Sequence, residues 1–149
     1  MSNYKINVEN LNTIVKIKKN QIKNLTRTVL SGEGILQAEI NIIFVDDDYI
    51  TRLNKEYLNK NNTTDVISFN LTDNNGSGLE GEIYANIDQI TRQADDFHVS
   101  QEEEIFRIVI HGLLHLMGFD DQTSVQKQIM TKKEDQYIKL LKDKLNKRD

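Results

Sequence analysis

The sequence predicts an α+β domain, with a small mixed β-sheet of about four strands covered by helices. Three observations lead there. Strand-like and helix-like hydrophobic periods alternate through most of the chain, two further helical stretches follow, and the first of these ends in a pair of histidines, His111 and His115. No internal repeat and no Gly/Ser-rich or Pro-rich linker interrupts the pattern, so residues 1–149 are read as one domain.

Tyr4 to Val8 alternates polar and apolar residues and reads as a first strand. Thr13 to Leu30 then carries Ile14, Ile17, Ile22, Leu25 and Val29 at helical spacing and stops at Ser31-Gly32. Glu39 to Val45 is rich in β-branched and aromatic residues and breaks at Asp46-Asp47-Asp48, where a helix is expected to be capped and to run through Tyr49, Leu53 and Tyr57 before the polar turn Asn59 to Asn62. Val66 to Leu71 and Glu82 to Ile87 are two further strands. The turn-rich segment Thr72 to Gly78 between them is expected to be a mobile surface loop. Asp88 to Asp96 begins another helix. Ser100-Gln-Glu-Glu103 has the capping-box pattern, in which the serine accepts an early backbone N–H and the glutamate reaches back. The helix it announces runs from Gln101 to about Met117, with Gly118 as its left-handed stop, and a final helix covers about Val125 to Leu145.

Composition restricts the chemistry. With no cysteine among 149 residues, disulfide-linked partners, thiolate ligands and cysteine nucleophiles are excluded together, so any metal must be held by imidazole and carboxylate. The most apolar run, Ile105 to Met117, contains Arg107 and both histidines and is too short to span a bilayer, and the N-terminus lacks the apolar core of a secretion signal. No membrane partner and a cytoplasmic location are therefore expected. A net charge of -4 argues against nonspecific coating of nucleic acid. The charge is unevenly spread, with Lys16, Lys18, Lys19, Lys23 and Arg27 in a segment free of acids, and acidic clusters at Asp46 to Asp48 and Glu102 to Glu104.

His111 and His115 lie four apart on the same helix face, with Cβ atoms about 5–6 Å apart, close enough for both imidazoles to reach one ion at roughly 2.0–2.1 Å. A third ligand needs the chain to turn back. Gly118 supplies the turn, and Asp121 and Asp120 compete for the position. The alternative is a pair of packed core histidines, but two on one turn among Ile108, Val109, Ile110, Leu113, Leu114 and Leu116 leave several polar nitrogens to satisfy, at about 1–3 kcal/mol for each one unmet. His98 is expected in an exposed loop and Asp120 in a hydrogen bond at the helix end.

The run His111-Gly-Leu-Leu-His115-Leu-Met-Gly118-Phe-Asp120-Asp121, together with Thr64-Asp-Val-Ile-Ser-Phe69, Gly81-Glu-Ile83 and Leu53-Asn-Lys-Glu-Tyr57, resembles the YbeY family of bacterial metal-dependent endoribonucleases that act in ribosomal RNA maturation. The resemblance covers about Ile40 to about Tyr137 in the family's order. It implies a single hydrolase domain with a zincin-like metal helix, RNA as substrate, and ribosomal RNA and the small ribosomal subunit as partners. The family pattern is His-Gly-x-x-His-Leu-x-Gly-aromatic-Asp-His, with three histidines as zinc ligands, so the resemblance implies His111, His115 and, in the third position, Asp121. Zinc is the first expectation for the cofactor. A carboxylate in place of imidazole makes manganese or iron(II) more acceptable.

Two further departures bear on the substrate. The family's arginine after the Asn-x-x-aromatic stretch is Leu58 here, and its proline after Ser-Phe is Asn70. Lys55 or Lys60 is the candidate replacement cation, and Ser68 lies in the matching stretch; these three are the candidate RNA-contacting residues. Tyr57, Phe69 and Tyr84 are candidates to stack on unpaired bases. The expected function is hydrolysis of single-stranded RNA in ribosomal RNA processing and ribosome quality control. One alternative is a catalytically weakened assembly or RNA-binding protein on the same fold. A metalloprotease is the third reading, disfavoured because the glutamate those enzymes place after the first histidine is Gly112 here.

Overall fold

The structure is a computed structural model that describes residues 2–12, 14–73 and 78–146. Its elements follow in the order β1 (Asn3–Asn10), α1 (Lys19–Gly32), β2 (Gln37–Val45), α2 (Asp47–Leu58), β3 (Val66–Asn70), β4 (Leu79–Asn86), α3 (Ile87–Phe97), α4 (Gln101–Leu116) and α5 (Ser124–Asn146). The sheet has the expected four strands in the order β1-β2-β4-β3. β1, β2 and β4 run parallel, and β3 closes one edge antiparallel to β4.

Alternation along the strands divides the sheet into two faces. Ile6, Val8, Ile40, Ile42, Phe44, Ile83 and Ala85 point to the larger core, where α1, α3, α4 and α5 pack. Ile43, Val45 and Ile67 point the other way, onto Ile50 and Leu53 of α2. α4 lies within the larger core. Ten of its sixteen residues are buried, including Ile105, Val109, Ile110, Leu113 and Leu114. Burying each such side chain stabilises by roughly 1.5–3 kcal/mol, so α4 is a rigid mount for whatever its last turns carry.

Local chemistry sets the boundaries. The Asp46 carboxylate accepts Tyr49 N at 2.9 Å and starts α2, which ends at Asn59 in the left-handed region, φ 56°. The Ser100 hydroxyl accepts Glu103 N at 3.0 Å, as expected of the capping box. The Glu103 carboxylate, however, meets Lys142 of α5 instead of reaching back. β4 stops at Asn86 and not Ile87, because the Asn86 side chain turns to accept Asp88 N and caps α3.

The first helix starts six residues later than its apolar pattern suggests, at Lys19 and not Thr13. Asparagine side chains capture the backbone ahead of it, with Asn12 Oδ1 accepting Ile14 N at 3.0 Å and Asn10 Nδ2 donating to Val15 O at 2.9 Å. Ile14 is consequently 86% exposed, while Val15 and Ile17 still pack on the core from a non-helical segment. Thr13, and residues 74–77 of the loop expected between the two later strands, lie outside the described residues.

A polar hub joins α2, β4 and the segment leading into β3. Fully buried Asn86 donates through Nδ2 to Asp47, Thr63 Oγ1 and Thr64 O, and Arg92 forks both oxygens of Asp47 at 2.8 and 2.9 Å. The Arg92 hydrogen bonds, opposed by desolvation and helped by Asn86 and Thr63, hold the Asp47 carboxyl down at about 2, from an ordinary 3.8. A depressed folded-state pKa contributes stability that is complete above the unfolded value and lost as the carboxylate protonates. Stability is therefore expected to fall between about pH 4 and pH 2 by about 1 kcal/mol through this group, after discounting for its solvent exposure. Urea titrations of wild type and Asp47→Asn across that window check this: the variant should lose that part of the slope.

Candidate metal centre

α4 places Arg107, His111 and His115 one turn apart on one face, whose Arg107 and His111 meet Glu134 and Asp135 in the middle of α5. It stops where the sequence indicates. Gly118 adopts φ +97°, Gly118 N donates to His115 O at 3.0 Å, and Phe119 N to Leu114 O at 3.0 Å, which satisfies carbonyls of the last turn and reverses the chain. Asp120 Oδ1 accepts Asp121 N at 2.8 Å in the reversed segment. Gln126 then accepts the backbone N–H of Gln122 and Thr123 and opens α5.

This geometry brings His111, His115 and Asp121 together. His111 Nε2 lies 3.0 Å from His115 Nε2 and 3.3 Å from Asp121 Oδ2, and His115 Nε2 lies 3.6 Å from the same oxygen. Donors held tetrahedrally at 2.0–2.1 Å from one zinc ion would be about 3.3 Å apart, and the three separations straddle that figure. Two imidazole nitrogens and a carboxylate oxygen facing one another at this range are a group that can hold a divalent cation. Asp120 is exposed and occupied with the turn, and His98 is the exposed, left-handed cap of α3.

Glu134, which the sequence did not single out, completes the surroundings. It comes from α5, is buried, and lies 2.6 Å through Oε2 from His111 Nδ1. Desolvation works against a charged imidazole, but the Glu134 hydrogen bond and charge, then the charges of Asp121 and Asp65, outweigh it and hold His111 above the ordinary histidine range. A cation at Nε2 thus competes with a proton.

The group opens onto a cleft of about 590 Å³ lined by α2, the segment before β3, and β3 itself. Lys60 and Ser68 line it with the histidines, and Lys55 is not among its lining residues. The Ser68 hydroxyl is engaged, donating to Gly112 O at 3.0 Å. Leu58 lines the cleft where the resemblance implied arginine, which leaves Lys60 as the one cation among the described lining residues. Asn70, standing where proline was implied, donates to Leu116 O at 3.2 Å and ties β3 to the end of α4.

The three aromatic candidates lie elsewhere. Tyr57, Phe69 and Tyr84 line a second cleft, on the α2 side of the sheet, together with Glu56 and Glu82. Strand alternation is the reason: Ser68 and Asn70 face α4, so Phe69 between them must face away. Burial, then the charge of Glu82, pushes the Tyr84 hydroxyl up to about 12. None of these three rings lines the cleft that holds the histidines.

Fold and site define a class: a mixed-sheet domain in which one buried helix presents two histidines, completed by a carboxylate from the turn after it, to an open polar cleft. Residues 7–142 match the family model described as Endoribonuclease YbeY, and the chain belongs to that family. The Endoribonuclease YbeY of Flavobacterium psychrophilum is 41% identical over 123 residues, covering 83% of this chain and 86% of that one. The Endoribonuclease YbeY of Christiangramia forsetii is 34% identical over 140 residues, covering 94% and 96%. The solution structure of TM1509 from Thermotoga maritima superposes with a TM-score of 0.65 at 25% identity, covering 96% of this chain and 93% of that one.

Proposed function

We propose that this protein is a metal-dependent endoribonuclease that hydrolyses phosphodiester bonds of single-stranded RNA, in the processing of ribosomal RNA and the quality control of ribosomes. The observation that carries the reading is the convergence of His111 Nε2, His115 Nε2 and Asp121 Oδ2 at the floor of a cleft open to solvent. Membership of a family whose relatives are named endoribonucleases supports the choice of RNA. Zinc suits two imidazoles and a carboxylate, and the carboxylate makes manganese or iron(II) acceptable. Bound there, the ion supplies Lewis acidity toward a phosphoryl oxygen and toward water.

The chain's own residues do the rest. Lys60 offers the substrate phosphate a point charge in place of the flat fork of an arginine. Among the described charged residues lining the cleft, two carboxylates, Asp65 and Asp121, outnumber Lys60 when both histidines are neutral. A divalent ion reverses that sign. RNA attraction and cleavage should therefore be lost together when the metal is removed.

The test is direct. Purified protein of measured metal content should cleave an unstructured RNA, lose both cleavage and RNA binding after dialysis against a chelator, and regain them with zinc or manganese. Cleavage indifferent to the chelator would overturn the metal reading. RNA binding with no cleavage at any metal loading would favour the weakened assembly protein, for which Leu58 at the cleft wall is the specific observation.

A further inference from the structure

We infer that Glu134, held in place by Arg107, is a positioning residue of the metal centre: its carboxylate takes the hydrogen bond from His111 Nδ1 and so presents the Nε2 lone pair to His115 and Asp121. The inference rests on the metal reading above and concerns groups that do not themselves touch the ion.

The Glu134 side chain is 8% exposed, and a carboxylate taken out of water needs partners for its lone pairs. It has two. Arg107 Nη1 lies 3.2 Å from Oε1, and His111 Nδ1 lies 2.6 Å from Oε2. The imidazole contact is the shorter by 0.6 Å on the distances given, so Glu134 is more than an anchor for Arg107 between two helices. A carboxylate accepts and does not donate, so the hydrogen on His111 sits on Nδ1, and the bare lone pair is on Nε2. That lone pair points at a place where a nitrogen and an oxygen from other residues also converge.

Arg107 supplies the geometry. It stands four residues before His111 on α4 and spans two α5 carboxylates, donating through Nη2 to Asp135 at 2.9 Å as well as to Glu134. A planar guanidinium fixes where those oxygens sit, which lysine would not. Helix α5 therefore sets the orientation of an α4 ligand before any ion arrives. Partners of this kind typically contribute 10–100-fold to metal affinity.

The test has two readouts besides activity. In the metal-free protein at pH 8, nitrogen-15 spectra of the histidine rings should show His111 as the Nδ1–H tautomer. Zinc affinity, measured by competition with a chromogenic chelator, should fall roughly 10–100-fold in Glu134→Gln, and severalfold in Arg107→Met, with both variants folded by circular dichroism. An Nε2–H tautomer in the wild type, or equal zinc affinity in wild type and Glu134→Gln, overturns the inference. Should Glu134→Gln fail to fold, the wild-type tautomer decides alone. A wild type that shows the Nδ1–H tautomer and binds no zinc overturns the metal reading and removes this role with it, a result distinct from failure of the inference by itself.

Discussion

His115→Ala is expected to lower the rate of cleavage of unstructured RNA by at least about 10³-fold, the factor that corresponds to about 4 kcal/mol of lost transition-state stabilisation. The size follows from the site. Among the described residues three donor atoms converge there, and a Lewis acid acting on a phosphoryl oxygen is worth several kcal/mol. His115 is the better position for this test than His111, because removing the His111 ring also strips buried Glu134 of its shortest contact and confounds activity with stability. The measurement pairs kcat/KM with metal content and melting temperature. Wild-type cleavage by a metal-free His115→Ala protein would mean that the chemistry lies elsewhere. Asp121→His supplies the complementary arm: a neutral third ligand leaves more positive charge on the ion, and that variant is expected to retain metal and cleave faster than wild type.

Gly112→Glu, which would install beside the first histidine the general base of the peptidase motif, is expected to yield no stable fold. A Cβ at residue 112 would lie 2.9 Å from Ile83 Cγ2, 3.1 Å from Ser68 Oγ and 3.3 Å from Val66 Cγ2. Two of those neighbours are β-branched and stiff, and the third is held by its bond to Gly112 O. Overpacking of this kind costs about 1–3 kcal/mol, and a glutamate adds a carboxylate buried against β3 and β4 with no room to turn. Gly112→Ala isolates the steric part. The helix gains about 1 kcal/mol from alanine, leaving a net loss of about 0–2 kcal/mol. Urea denaturation checks both variants. A Gly112→Glu protein as stable as wild type would show that α4 does not pack on the sheet this closely.

Much of this was legible before the fold was known because it is local. The His111/His115 spacing, the Gly118 stop and the Ser100 cap depend on backbone geometry within one or two turns, and each holds in the structure. Where local rules compete, the reading failed. Ile14 and Ile17 match a helical period, yet Asn10 and Asn12 draw that backbone into side-chain bonds and α1 starts at Lys19. The aromatic candidates fall in the other cleft for another reason: the two faces of a strand are distinguishable by alternation, but which face meets the histidines depends on where α4 docks.

By itself the chain determined the elements, the number of strands, the helix that carries two imidazoles and the turn that follows it, since these rest on periodicity, capping and a glycine with positive φ. Only the tertiary structure decided that Asp121 and not Asp120 turns inward, that Lys60 and not Lys55 faces the cleft, and that Glu134 meets His111. In the run Lys132-Lys133-Glu134-Asp135, nothing marks one acid from the next. Long-range packing of α5 on α4 buries the first and leaves the second at the surface, and contacts between residues 23 positions apart leave no periodic trace in either segment.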